Sequence, residues 1–316
     1  MVRPTFMHSA TRSGVQSRLR TMMALSTSVE LGGGRRAAYE VIGDGPPLLY
    51  FQGGPGFSAA LLRPEAELLA DHFAVYLIDP AGSGGSTPPD DPSQYDHLGH
   101  ARFYNEVAHA LAIGPATIMG ISFGGIVALT YASLFPDRSE RCIAVSSRVI
   151  GAELEGDEAA AEMQAFLERH AHQPWYPAAR KTWDEWTDRV LATEDPRAVD
   201  AMMAELLPLY TADPDRPGVQ AMIEAWRREM RTDLTAIKVW ESGLWQRIDA
   251  RPLLATSACP TLVLVGALDL ICGPAQGRVI AEAVPGARLV IVPDAGHFIA
   301  SEAPESFRDE IVAFAG

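Results

Sequence analysis

Apolar residues follow two rhythms along this chain. Leu48-Leu49-Tyr50-Phe51, Phe73 to Ile78, Ala116 to Met119 and Arg141 to Ser146 are short runs bounded by turn formers, and they predict strands. Leu48 to Phe51 is apolar at every position, which predicts a strand covered on both faces and central in its sheet. Longer stretches over about Ala59 to Asp71 and His97 to Ala112 predict helices, and Ile126 to Ala132 a buried helix. Arg35 to Ile42 predicts one more strand. Gly43-Asp44-Gly45-Pro46 separates it from the strand Pro47 to Gln52, and its D-G step is a hairpin signal. Strand and helix in alternation predict an α/β fold with a mostly parallel central sheet and helices on both faces.

The rhythm changes near Gly151. From there to about Ala250 the spacing is helical, and the stretch holds all six tryptophans and half of the 40 acidic residues. Strands resume with Thr261 to Val265 and Arg288 to Val292, and a helix over Ala303 to Phe314 closes the chain. The predicted organisation is a catalytic domain of residues 29–150 and 251–316, interrupted by a helical cap of residues 151–250.

The 316 residues, 47% of them hydrophobic, suffice for one large α/β domain with such an insertion. A net charge of -14 disfavours nucleic acid and anionic membrane surfaces, which are bound by clustered Lys and Arg, and suits a neutral or cationic small-molecule substrate. No apolar run spans a membrane. Cys142, Cys259 and Cys272 are odd in number and lie in or beside apparent core strands, which predicts reduced, buried thiols and a cytoplasmic protein. No metal-ligand spacing occurs, and no cofactor is expected. Arg3, Arg12, Arg18 and Arg20 precede the first acid, Glu30, in a segment without the apolar core of a secretory signal. Residues 1–28 are expected to be a disordered leader, or to lie upstream of a true start at Met22 or Met23.

The chemistry gathers at strand ends. Gly120-Ile121-Ser122-Phe123-Gly124 is a G-x-S-x-G sequence between a predicted strand and a predicted helix, the context of a nucleophile elbow. A serine held in so sharp a turn needs neighbours without Cβ at minus two and plus two, and Gly120 and Gly124 supply them. Reactive residues of parallel sheets sit beyond the carboxyl ends of the strands. That rule selects Ser122, Asp269 after Gly266-Ala267-Leu268, and His297 after Pro293-Asp294-Ala295-Gly296. His297 would take the Ser122 proton as the hydroxyl attacks a carbonyl carbon, and Asp269 would orient the imidazole. Asp294 is a rival acid, and Asp269 would also serve as a simple cap for the segment at Leu270. His297 is the only histidine beyond both candidate nucleophile and acid. Gln52-Gly53-Gly54-Pro55-Gly56 is too rich in glycine and proline to continue a strand. The backbone N–H groups of Gly54 and Phe123 are the expected oxyanion donors.

These residues resemble the α/β-hydrolase superfamily and, within it, the proline iminopeptidase-like branch. Gln52 to Gly56 stands against that family's H-G-G-P-G, Asp79 to Ser86 against its D-x-x-G-x-G-x-S, and Gly120 to Gly125 against its G-G-S-W-G-G. A long helical insertion after the sixth strand and the late Gly296-His297 pair fit too, so the likeness covers about residues 29–316. Gln52 replaces the family histidine, Phe123 replaces the tryptophan, and Pro80-Ala81 stand where Gln-Arg is usual. The resemblance implies recognition of a free amine by cap glutamates, for which Glu205, Glu224, Glu229 and Glu241 are candidates. It implies a cofactor-free serine hydrolase that cleaves a small amide, ester or lactone through an acyl-enzyme on Ser122, most like proline iminopeptidase. A carboxylesterase or lactonase of the same fold is the alternative. A non-hydrolytic ligand-binding protein or lyase on this fold is the alternative of another class.

Overall fold

The computed structural model describes Leu25, residues 27–151, Leu154 and residues 156–316; the side chain of Glu229 lies outside the described residues. Among the described residues eight strands form one sheet: β1 (Thr27–Glu30), β2 (Arg36–Ile42), β3 (Pro47–Phe51), β4 (Ala74–Ile78), β5 (Ala116–Ile121), β6 (Ser139–Val145), β7 (Thr261–Gly266) and β8 (Arg288–Val292). Their order is β1-β2-β4-β3-β5-β6-β7-β8. β1 and β2 run antiparallel to their neighbours, and all other pairs are parallel.

The apolar run Leu48 to Phe51 is central, between β4 and β5. Its side chains alternate between two cores: Leu48 and Tyr50 pack with Leu77, Met119 and Phe307 on one face, and Leu49 and Phe51 with Ile118, Leu129 and Val263 on the other. All four are at most 1% exposed. A strand covered on both sides by helices has no solvent face, so its pattern is continuous rather than alternating. Phe51 also stacks on Tyr104 of the helix His97–Ala110, with ring centroids 3.9 Å apart.

The hairpin expected from the D-G step does not form. β2 pairs with β4, with Tyr39 opposite Ile78 and Ile42 opposite Val75, so β4 lies between β2 and β3. Gly43 and Gly45 do adopt positive φ, at 86° and 151°, but the turn delivers the chain past the carbonyls of Ala70, His72 and Phe73 instead of into a two-strand ladder. Parallel pairing of β3 with β4 and β5 on its two sides outweighs the local signal. The expected leader of residues 1–28 lies outside the described residues except at its end. There Leu25 is buried and Thr27 and Ser28 open β1, so the boundary drawn at residue 28 is too late.

Between β6 and β7 the chain leaves the sheet for a helical insertion. Its main helices are Asp157–His170, Tyr176–Ala192, Pro196–Leu206, Pro217–Glu229 and Leu234–Val239. Val190, Val199, Met202, Met203, Leu207, Val219, Ile223 and Ile237 join the core on one side of the sheet, so the insertion is packed onto the α/β body. Among the described residues no helix is long and apolar enough to cross a membrane.

From β3 the chain moves to β4 on one side, then returns to place β5 on the other. The loops after β3 and β5 therefore diverge from adjacent strand ends and leave a crevice between them, the usual ligand position in open α/β sheets.

Candidate active site

Phe51 of β3 is in register with Gly120 of β5, so Gln52 to Gly56 leaves the sheet beside the chain at Ser122. Ser122 links β5 to the helix Phe123–Leu134 at φ 55° and ψ -121°, a left-handed backbone that a residue with a side chain occupies only under strain. The turn is pinned from several sides. The Ser122 N–H donates to the Val145 carbonyl at 2.9 Å, and its carbonyl accepts from Gly125 N–H at 2.9 Å and from the Ser147 hydroxyl at 2.7 Å. A Cβ on Gly120 would collide with the Gly124 carbonyl oxygen, and one on Gly124 with the Phe51 carbonyl oxygen. Both glycines are thus required by the closeness of strand, turn and helix.

Asp269 and His297 come from the loops after β7 and β8. Those loops are joined by hydrogen bonds of 2.9 Å from Ala267 N–H to the Val292 carbonyl and from Leu268 N–H to the Ala295 carbonyl. Asp269 Oδ2 lies 2.9 Å from His297 Nδ1, while Oδ1 accepts the N–H groups of Ile271 at 2.7 Å and Cys272 at 3.0 Å. The carboxylate therefore caps its own turn and meets the imidazole at the same time. Both side chains are buried, 4% and 2% exposed. The rival Asp294 is exposed at a turn of φ 54°, away from this pairing.

Ser122 and His297 border one cavity of about 490 Å³, together with Gly54 and Phe123. Gly54 has φ 67°, and Phe123 opens its helix, where the first N–H groups have no partner within the helix. Behind this loop Asp79, fully buried, accepts the Ser58 hydroxyl at 2.7 Å, Ala59 N–H at 2.8 Å and Gly85 N–H at 2.8 Å. Burial raises its carboxyl, against the opposing pull of those hydrogen bonds. The loop after β4 thereby fixes the loop after β3.

The insertion supplies most of the remaining wall, including Trp183, Trp186, Trp226, Trp240 and Trp245. Of the four candidate glutamates, only Glu241 borders the cavity among those whose side chains are described. It is 7% exposed, accepts Trp186 Nε1–H at 2.9 Å and the Thr187 hydroxyl at 2.7 Å, and burial raises its carboxyl. Glu205 is exposed and takes the Thr182 hydroxyl at 2.6 Å, and Glu224 is exposed beside Arg227.

A family model described as the alpha/beta hydrolase fold matches residues 46–304. The chain is an α/β-hydrolase. Relatives of this hydrolase include a proline iminopeptidase of Aeromonas sobria, 40% identical over 112 residues, which span 29% of this chain and only 26% of that protein. A putative carbamate hydrolase RutD of Azorhizobium caulinodans is 26% identical over 301 residues, 90% of this chain and 97% of the relative. The solved enol-lactonase of Burkholderia xenovorans LB400 superposes with a TM-score of 0.69 at 23% identity, covering 91% of this chain and 99% of its own, a likeness of fold.

Two contributors at the hydrolase's strand ends carried no sequence signal. Tyr210, from the insertion, stands edge-on to the His297 ring with centroids 5.3 Å apart, and Cys272 borders the cavity beside Asp269. Their positions depend on how the insertion and the β7 loop fold back, which no local pattern encodes. The three cysteines are buried and none forms a disulfide.

Proposed function

We propose that this α/β-hydrolase is a serine hydrolase, needing no cofactor, that cleaves a small amide, ester or lactone through an acyl-enzyme on Ser122. The observation that carries the reading is the strained Ser122 sharing a cavity with His297, whose Nδ1 is held by buried Asp269. With Nδ1–H donated to Asp269, Nε2 is the nitrogen left to take the Ser122 proton as Oγ adds to the substrate carbonyl carbon. The oxyanion would accept the Gly54 and Phe123 N–H groups, each worth about 3 kcal/mol of transition-state stabilisation. His297 then returns the proton to the leaving amine or alcohol, and water enters by the same route to release the acid.

Substrate choice belongs to the insertion, read as a cap over the strand ends. Glu241 supports an aminopeptidase-like preference: a protonated amine in the cavity would face a buried carboxylate, and its charge would favour ionisation of a group that burial raises. The largely apolar tryptophan wall favours the second reading, an esterase or lactonase accepting an uncharged acyl group.

Fluorophosphonate labelling at Ser122, and its loss in Ser122→Ala together with turnover, tests the chemistry; more than a few per cent residual activity in the variant would refute it. A panel of proline arylamides, p-nitrophenyl esters and lactones then divides the two preferences. Under the first, Glu241→Gln depresses arylamide turnover at least about 10-fold more than ester turnover. Equal losses on both substrates assign the protein to the esterase or lactonase reading.

A further inference from the structure

One buried acid near this site has no part in the chemistry above. Glu302 ends the short helix Ile299–Glu302, five residues beyond His297, and is 8% exposed. Its carboxylate oxygens are divided between two segments of the chain. Oε1 accepts the N–H of Gly296, the residue before His297, at 2.9 Å, and Oε2 accepts the N–H of Ala212 in the insertion at 2.7 Å. At the same junction His297 N–H donates to the Tyr210 carbonyl at 2.7 Å. The segments meet closely: a Cβ on Gly296 would lie 2.7 Å from Ala212 N and 2.8 Å from the Tyr210 carbonyl oxygen. Arg216 Nη1 adds a bond to the Glu302 carbonyl at 3.2 Å.

We propose that Glu302 is a positioning residue for His297, its carboxylate latching the loop that carries the imidazole to the inserted segment Tyr210 to Ala212. The inference rests on the reading of His297 as the base. Two N–H donors converging from separate segments require an acceptor at each end of the side chain. An ionised carboxylate has two, whereas an amide or a protonated carboxyl must turn a donor toward one of them. Loss of either bond leaves the His297 loop tied to the insertion by the Tyr210 carbonyl alone, and displacements of about 1 Å at a reacting group can cost about 100-fold in rate.

The latch is also sensitive to protons. Burial pushes the Glu302 carboxyl up to about 7; the Ala212 and Gly296 amides and Arg216 lower it, and Asp269 raises it. The charged groups acting on it are Arg216 from the insertion and Asp269 from the loop after β7. The latch holds both amides only with Glu302 ionised, so the acid limb of kcat/KM should carry the deprotonation of Glu302.

The test is hydrolysis of p-nitrophenyl butyrate from about pH 5 to about pH 9 by the full chain and by Glu302→Gln, with melting temperature and fluorophosphonate labelling as controls. The expected result is a folded variant whose kcat falls about 10- to 100-fold while KM changes less than about 3-fold. Its acid limb should lose the contribution that Glu302 makes in the wild type. A folded Glu302→Gln with wild-type kcat and a wild-type limb would overturn the proposal. If that variant fails to fold, Glu302→Asp decides: it keeps an ionisable carboxylate, but its side chain is one methylene shorter and cannot reach both amides. Reduced kcat in Glu302→Asp upholds the latch, and unchanged kcat sinks it. Wild-type protein that neither labels nor turns over would remove the hydrolase reading and this inference with it. Wild-type protein that does both, matched by its variants, removes the latch alone.

Discussion

Glu65 offers a measurement of what a buried carboxyl costs this fold. It sits on the helix Arg63–Leu69, 8% exposed, and accepts the hydroxyl of Tyr50, which is fully buried in β3. Burial pushes its carboxyl from 4.5 up to about 7, against the Tyr50 hydrogen bond and the charge of His297, both of which lower it. The folded protein therefore keeps a proton here that the unfolded chain gives up near 4.5. Stability from this group is fully present below that value and is lost as pH rises through about 7. At about 1.4 kcal/mol per tenfold change, the loss between about pH 5 and about pH 8 comes to about 2.5 kcal/mol. Glu65→Gln removes the titration and keeps an oxygen to accept the Tyr50 hydroxyl. Urea unfolding of both proteins at the two pH values should show wild-type stability falling about 2.5 kcal/mol further than that of the variant. Glu302 titrates in the same direction in both proteins and cancels in the difference. Parallel loss of stability in wild type and variant would refute the reasoning.

Two further outcomes follow from the site. Asp269→Asn should fold, because Asn keeps an acceptor for the Ile271 and Cys272 amides, yet lose about 10,000-fold in kcat as the imidazole loses its orienting carboxylate; steady-state kinetics on a p-nitrophenyl ester would show it, and a loss below about 10-fold would contradict the role. Gly124→Ala places a methyl against the Phe51 carbonyl at the centre of the sheet, so thermal unfolding should report a destabilisation of about 1 to 3 kcal/mol, and an unchanged melting temperature would contradict the packing described.

The sequence by itself specified the strands β2 to β8 and much of the candidate site, while β1 went unpredicted. The continuous apolar run Leu48 to Phe51 specified a strand covered on both faces, because no other arrangement buries every side chain of a strand. Gly120, Ser122 and Gly124 marked the turn because the steric demand there is local, confined to one strand end and one helix start. Asp269 and His297 were legible because strand ends collect at one edge of a parallel sheet. Tertiary structure decided what depends on contacts between distant segments. The D-G turn after β2 looked like a hairpin, yet β4 took the place beside β2, since pairing is set by the whole sheet and not by the turn. Among Glu205, Glu224 and Glu241 no local pattern makes the choice, because solvent and cavity faces of an inserted helix are distinguished only once it is docked. Glu302 carried no signal for the same reason. Its two partners, Gly296 and Ala212, lie in segments brought together only by the docking of the insertion over the end of β8.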